Sequence, residues 1–246
     1  MRRILLSRAL LVAASLLAVG AVSGCAPRDS QQVSQPASQQ ASRLASQPAA
    51  TRTVASGSDE ARAAAAFTAF RNAAGAGDVR ELAQQVAQST ADALSRWREL
   101  ALDAAPQALE RESLTDQVAV LRLRSALPEG ALARMPGRAL VAAAIDQGIV
   151  DVRGFASMQA GHVEVVGDRA EIQMERGGQE IGVAVPLVRE ASGWHVDLPP
   201  LLKMAEPGLA AKIEGRPGPR PMRIMNLVGE LSGKPVSNQL WQPLRR

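Results

Sequence analysis

Beyond residue 58 the apolar positions of this chain change period once, and the change divides it into a helical half and a stranded half. Ala63, Phe67, Phe70 and Ala74 recur at three- and four-residue intervals, the spacing that lines one face of a helix. Ser58 with Asp59 and Glu60 makes a hydroxyl N-cap followed by first-turn acids, and Gly75 and Gly77 end the helix. Asp78 with Glu81 predicts a restart, and Val79, Leu82, Val86, Leu94, Trp97 and Leu100 continue as one helical stripe. Pro106 suits the first turn of the next helix. Ser113 and Asp116 start another, with Leu114, Val118, Leu121 and Leu123 behind them, and Pro128-Glu129-Gly130 stops it. A last helix of this half is expected near residues 138–147, closed by Gly148.

From Gly161 the period is two. Val163 and Val165 alternate with Glu164. Ala170, Ile172 and Met174 alternate with Glu171, Gln173 and Glu175, Ile181 to Leu187 line a third segment, and Trp194, Val196 and Leu198 a fourth. Turns at Gly167-Asp168, Gly177-Gly178 and Ala191-Ser192-Gly193 join them into an antiparallel meander. Pro186 carries no N–H, so its strand is expected at an edge or bulged there. Helices first and strands later predict an α+β fold, with the helices covering the apolar face of the sheet. After Pro199-Pro200 a short helix over residues 201–213, a stiff GRPGPRP linker and an amphipathic helix over residues 222–231 are expected.

The first 57 residues follow neither period. Arg2, Arg3 and Arg8 precede an uncharged stretch over residues 9–24, too short to span a bilayer, which takes about 20 residues, and shaped as an export signal. The stretch ends Val22-Ser23-Gly24-Cys25. This resembles the lipobox of bacterial lipoproteins: an aliphatic residue, two small residues and a Cys. The resemblance implies cleavage before Cys25, diacylation of its sulfur and acylation of the new amine. Two or three acyl chains hold a protein durably on a membrane. Ala26 stands where an Asp favours inner-membrane retention, so the resemblance implies the outer membrane, facing the periplasm. Residues 25–57, rich in Ser, Gln, Ala and Pro, bury too little apolar surface to offset ordering entropy. They read as a disordered tether reaching roughly 30 Å. The expected organisation is a signal peptide at 1–24, lipidated Cys and linker at 25–57, a folded domain at 58–204 and a basic extension at 205–246.

Within that domain, FTAFRNAAGAGDVRELAQQV and GHVEVVGDRAEIQMERGGQEIGVAVPLVREASGWHVDLPP resemble the helix–glycine–helix and closing meander of the nuclear-transport-factor-2-like superfamily, in its lipoprotein form. The resemblance spans about 140 residues of this chain and implies a cone: a curved sheet wrapped around helices, with a mouth for a small ligand. Four strands stand out here where the superfamily often has up to six, and the helical half is longer. Isomerases of this superfamily use an Asp base and a Tyr donor, and this chain has no Tyr.

Composition narrows the chemistry. One Cys forms no internal disulfide, and two His with one Cys do not build a Cys-rich zinc site. There is no HExxH, GxSxG or Gly-rich phosphate loop. His195 and Asp197, two apart on one strand, share a face opposite Trp194 and read either as an acid–base pair or as polar residues of a solvated face. His162 and Glu164 repeat that alternation without implying function. Trp97 and Trp194 read as core. The formal charge of +4 is unevenly distributed: residues 212–246 hold seven basic and two acidic residues, residues 26–211 hold 18 and 22. The basic tail with Trp241 reads either as docked on the domain or as a contact for a partner or anionic lipid.

These features predict a lipid-anchored, non-catalytic envelope protein with no cofactor and no metal, binding a protein partner or a small apolar ligand. Nucleic acid is not expected for an exported chain. Candidate contacts are His195, Asp197 and Trp241. The alternatives are a hydrolase- or dehydratase-like enzyme using His195 and Asp197, and a structural component of an envelope assembly. Cys25→Ala is expected to abolish metabolic labelling with palmitate and to release the protein from membranes; labelling that survives the substitution would refute the anchor.

Overall fold

The computed structural model describes residues 58–245; the expected export signal, Cys25 and the expected tether lie outside the described residues. Seven helices precede the sheet: α1 (Asp59–Ala76), α2 (Val79–Gln85), α3 (Gln88–Asp103), α4 (Pro106–Leu109), α5 (Leu114–Ala126), α6 (Glu129–Arg134) and α7 (Gly137–Asp146). A 3-10 turn, Arg153–Ser157, leads into β1 (Gln159–Val166), β2 (Arg169–Arg176), β3 (Gln179–Glu190) and β4 (Gly193–Val196). Three helices follow, α8 (Leu198–Met204), α9 (Glu206–Glu214) and α10 (Arg220–Ser232), then a 3-10 turn at Asn238–Trp241. The class is α+β, with one antiparallel sheet in the order β1-β2-β3-β4.

Local chemistry sets the helix starts. The Ser58 hydroxyl accepts from the Ala61 N–H at 3.2 Å, Asp78 from the Glu81 N–H at 3.0 Å and Ser113 from the Asp116 N–H at 3.1 Å. Each satisfies one of the orphan donors of a first turn. Gly77 ends α1 in the left-handed region at φ 68°, where a side chain would be strained.

The stripe running from Val79 to Leu100 is not one helix. It breaks at Val86, which bridges β4 in parallel at Val196, while the Ala87 N–H donates to the Val196 carbonyl at 2.9 Å. The break closes the β4 edge of the sheet. Pro186 also departs from expectation, because β3 is central and its irregular register with β2 lies at Gln173/Glu175. The Pro186 carbonyl accepts from the Asp197 N–H at 2.9 Å. In an antiparallel ladder the missing N–H faces the same side, where β4 has just ended, so little pairing is lost.

Ala170, Ile172 and Met174 on β2, Val185 and Leu187 on β3, and Val196 on β4 are buried and face α1. Behind α1 the helices stack in further layers: α2 packs on α7, α7 on α3, α3 on α5, and α5 on α9 and α10. Helix α5 is buried nearly all round, from Leu114 through Leu121 and Leu123, as expected of a helix with no solvent face. Two arginines, Arg122 and Arg124, are buried with it.

Arg124 has a complete set of acceptors. Its Nε donates to Ala101 O at 2.9 Å, Nη1 to Leu240 O at 3.0 Å and Trp241 O at 2.8 Å, and Nη2 to Leu100 O at 2.8 Å and Ala104 O at 2.7 Å. All five guanidinium N–H groups are thereby used. Burial pushes its pKa down to about 10, so it stays charged at neutral pH, balanced by the carboxyl end of α3. Arg124→Met is expected to lower stability by roughly 3–5 kcal/mol, the cost of breaking a buried charged network. Arg153→Ala, which removes a surface pair with Asp151, is expected to cost under about 1 kcal/mol. Urea midpoints that shift equally for the two variants would refute this ranking.

Candidate functional site

His195 and Asp197 share the outer face of the sheet, as their spacing requires, but they are not a pair. The His195 ring is 9% exposed. Its Nδ1 lies 3.1 Å from the Gln84 carbonyl, and a carbonyl has no proton to give, so Nδ1 carries the hydrogen. Nε2 then presents its lone pair to the Ser192 hydroxyl at 2.8 Å. The imidazole thus fastens the last turn of α2 to the β3–β4 turn. Asp197 precedes α8, where a carboxylate suits the positive helix end, and accepts from the Ser89 hydroxyl at 2.6 Å. The histidine is therefore a buried, satisfied group and not part of a solvated face.

Ser192 is the residue that periodicity did not single out. It sits in the turn before β4, three residues from His195 across Gly193, and only that short separation hinted at the bond. The hydroxyl–imidazole–carbonyl series has the order of a nucleophile, base and orienting group, but the carboxylate at Asp197 is committed to another partner. His162 is exposed on β1, at the opposite edge of the sheet from β4. Three strand spacings across the sheet and four residues along it separate it from His195, so the two histidines do not meet. Among the described residues no group of three or more His, Cys, Asp or Glu is placed to hold a metal.

Aromatic side chains pack where α1 meets the 3-10 turn before β1. Phe67 and Phe70 are fully buried, and Phe155 meets both edge-on at 6.5 and 5.4 Å between ring centroids. Trp97 is buried, with its indole N–H donating to Asp116 at 2.6 Å. Trp194 is buried beneath the Arg189 guanidinium, 4.7 Å from its ring centroid. Both belong to the core.

Trp241 differs from them. It is buried, and its carbonyl accepts from Arg124, but its indole Nε1 has no hydrogen-bond partner. With Pro221 and Ile224 it forms the apolar part of a cleft of about 200 Å³, with Glu110, Gln117 and Arg220 as its polar lining. Glu110 and Arg220 are exposed and carry opposite charge. Gln117 is held from below: its Nε2 donates to Glu110 O at 3.1 Å and Glu112 O at 2.7 Å. The cleft therefore combines an apolar wall with two charges of opposite sign, and the Trp241 of that wall carries a buried N–H with no partner. That is the make-up of a small-molecule site, formed between α5, α10 and the last 3-10 turn.

The basic tail is docked. Helix α10 buries Ile224, Met225, Leu227 and Val228 against α5 and α9. The Leu244 and Arg245 N–H groups donate to Ala101 O at 3.2 Å and Leu102 O at 2.9 Å, and Arg245 pairs with Asp103 at 3.2 Å. No described helix is long and apolar enough to cross a membrane. Comparison with known proteins adds no assignment: no family model matches the chain, and no curated protein or solved structure matches it.

If His195 and Asp197 act separately, their effects on stability add. His195→Ala is expected to cost roughly 1–3 kcal/mol and Asp197→Ala about 1 kcal/mol. The double variant should equal the sum within about 0.5 kcal/mol. A larger coupling in the urea midpoints would show that the two work as one unit.

Proposed function

We propose that this chain is a lipid-anchored envelope protein that binds a small, largely apolar molecule bearing a hydrogen-bond acceptor. Acyl chains on Cys25 hold it at the outer membrane, on the periplasmic side. The anchor is supported by Val22-Ser23-Gly24-Cys25 at the end of a basic, then apolar, leader. The binding role is carried by one observation, the unpartnered Trp241 indole N–H in the wall of the cleft. A buried donor left unpaired costs about 1–3 kcal/mol, and a ligand whose entry shifts the indole enough to bring an acceptor against it removes that cost. The apolar wall of Pro221 and Ile224 favours a hydrophobic body, while Glu110 and Arg220 suit polar ends of either sign.

The finer reading of the fold is the cone-like sheet of the nuclear-transport-factor-2-like superfamily. Helix α1 supports it by packing on both edge strands, β1 and β4, which a flat sheet does not readily permit. In this reading the aromatic residues Phe67, Phe70 and Phe155 take the interior of the cone, and binding moves to the side of the helical layers. An enzyme reading, hydrolase- or dehydratase-like, has the Ser192–His195 bond in its favour, with no carboxylate behind the imidazole. A structural role in an envelope assembly would use the exposed surface of the C-terminal helices.

The test is native mass spectrometry of the full lipidated protein extracted in mild detergent, comparing wild type with Trp241→Phe, which keeps an aromatic, though smaller, side chain and removes the donor. The expected result is a co-purified small molecule whose occupancy falls about tenfold in the variant, as for one lost buried hydrogen bond. Equal occupancy in the two proteins, or an empty wild type, overturns the proposal.

A further inference from the structure

Arg122 and Arg124 lie two residues apart on α5, are both buried, and receive very different treatment. Arg124 makes five bonds of 2.7–3.0 Å that use every N–H it has. Arg122 makes three, all long: Nη1 to Ile149 O at 3.4 Å, and Nη2 to Gln147 O at 3.5 Å and Leu231 O at 3.2 Å. Its Nε has no partner, and Nη1 retains a second hydrogen. The same helix thus carries one guanidinium that is structurally complete and one that is not.

The incomplete one borders a cavity. About 240 Å³ opens beside Arg122, lined also by Ser125, Gln147, Ile149, Ser232 and Lys234. At roughly 30 Å³ per water, that is room for a polyatomic ligand rather than a single small ion. The cavity sits where α5, α7 and α10 end, at Ala126, Asp146 and Ser232. Lys234 reaches across it and donates to Ser125 O at 2.8 Å, which leaves two ammonium hydrogens free of that bond. Ser125 and Ser232 add hydroxyls, each able to donate.

The three helix carboxyl ends, each worth about half a negative charge and only within its last turn, offset most but not all of the two positive charges, so the cavity is distinguished by its donors more than by its net charge. Asp151 is close enough to favour the charged form of Arg122, but its carboxylate is committed to Arg153, at 3.0 Å to both Nε and Nη2. Asp146 is not among the residues that line the cavity. Burial itself disfavours the charged guanidinium, which a bound anion would offset.

We propose that the cavity between the ends of α5, α7 and α10 binds a compact soluble oxyanion, of the phosphate or carboxylate kind, between the Arg122 guanidinium and the Lys234 ammonium. Arg122 offers a planar, nearly dry donor group, and Lys234 a mobile charge at the mouth that engages the anion from the solvent side. The site is separate from the Trp241 cleft in chemistry and in residues, so it stands or falls independently of the small-molecule reading.

Inorganic phosphate is the probe. Calorimetric titration of the full lipidated protein in detergent, at fixed ionic strength in chloride, is expected to give saturable binding at one site. Lys234→Ala should weaken it at least fivefold and Lys234→Arg restore it. Arg122→Lys, which keeps the charge and loses the fork, should also weaken it. Lys234 is exposed and makes one hydrogen bond to the domain, so its variants are expected to fold, which an unchanged far-UV circular dichroism spectrum checks, and the test does not depend on Arg122. Phosphate heats no larger than those of added chloride, or binding indifferent to Lys234→Ala, overturn the proposal. A second arm uses the Cys25→Ala protein with phosphatidylglycerol or phosphatidylcholine vesicles. Lys234-dependent binding to phosphatidylglycerol vesicles without binding of free phosphate would assign the site to a lipid headgroup and overturn the soluble-anion assignment.

Discussion

Positive side chains at the carboxyl ends of helices hold this fold in register. The last carbonyls of a helix have no intrahelical donor, and the helix end is electrostatically negative. Here those carbonyls are met from outside. Arg124 takes the end of α3, and Arg122 those of α7 and α10. Arg138, donating to Ala83 and Val86, and His195, donating to Gln84, close α2. Arg98 reaches Met135 beyond α6, Arg223 reaches Ile213 in α9, and Lys234 reaches Ser125 in α5. Helices α2, α3, α7 and α10 carry no basic residue in their own last turns, so the caps are tertiary contacts. They fix how one helix sits against another. The chain holds 25 Arg and three Lys, and the preference has a physical basis: a planar fork with five donors can serve two helix ends at once, and an ammonium is less suited to that task.

That device compensates for a core short of large, shape-defining groups. Aromatic residues make up 2% of the chain, and many buried positions along the helices are alanines, among them Ala63, Ala73, Ala91, Ala101 and Ala144. Small side chains allow close helix approach but discriminate weakly between alternative angles and offsets. Directional bonds from buried guanidinium groups do discriminate, because an offset of one turn would leave a charge and several carbonyls unpaired. The basic C-terminal segment follows the same logic. Of its positive residues, Lys234 and Arg245 are engaged with a carbonyl and a carboxylate of the domain, while Arg216 and Arg223 bond to carbonyls of the C-terminal segment itself.

The sequence was most informative where local chemistry acts alone. Ser58, Asp78 and Ser113 announce helix starts by the bonds their own side chains make, and alternation with Gly turns announces the four strands. It was least informative where a distant element decides. Val86 lies on a continuous helical stripe, and only its bridge to Val196 breaks the helix. Pro186 reads as an edge residue, and only the early end of β4 makes a central position tolerable. Arg122 and Arg124 look like the polar positions of an amphipathic helix, because periodicity marks polarity but says nothing of a carbonyl brought in from elsewhere. The pairing of His195 with Ser192 and Gln84, and the separate bond of Asp197 to Ser89, were hidden for the same reason. Trp241 was marked by composition alone, as an aromatic in a basic tail. Its burial depends on α5 being surrounded.

Both clefts involve the segment that this electrostatic scheme docks. Trp241 lines one, and its carbonyl is held by Arg124; Ser232 and Lys234 line the other, and the neighbouring Leu231 carbonyl is held by Arg122. Two buried arginines of α5 therefore tie the C-terminal segment down at two points, and each cleft is lined by residues of that segment. A ligand in either cleft touches α5 and the C-terminal segment together, so it is bound only by the docked form and stabilises docking by the same free energy. The two arginines divide the work. Arg124, complete in itself, sets the geometry, whereas Arg122, with donors in reserve, leaves part of the docking free energy to be supplied by whatever occupies the cavity. On the proposed binding, the C-terminal helices are the part of the molecule whose stability responds to ligand, while the sheet and α1, packed on Phe67 and Phe70, are indifferent to it.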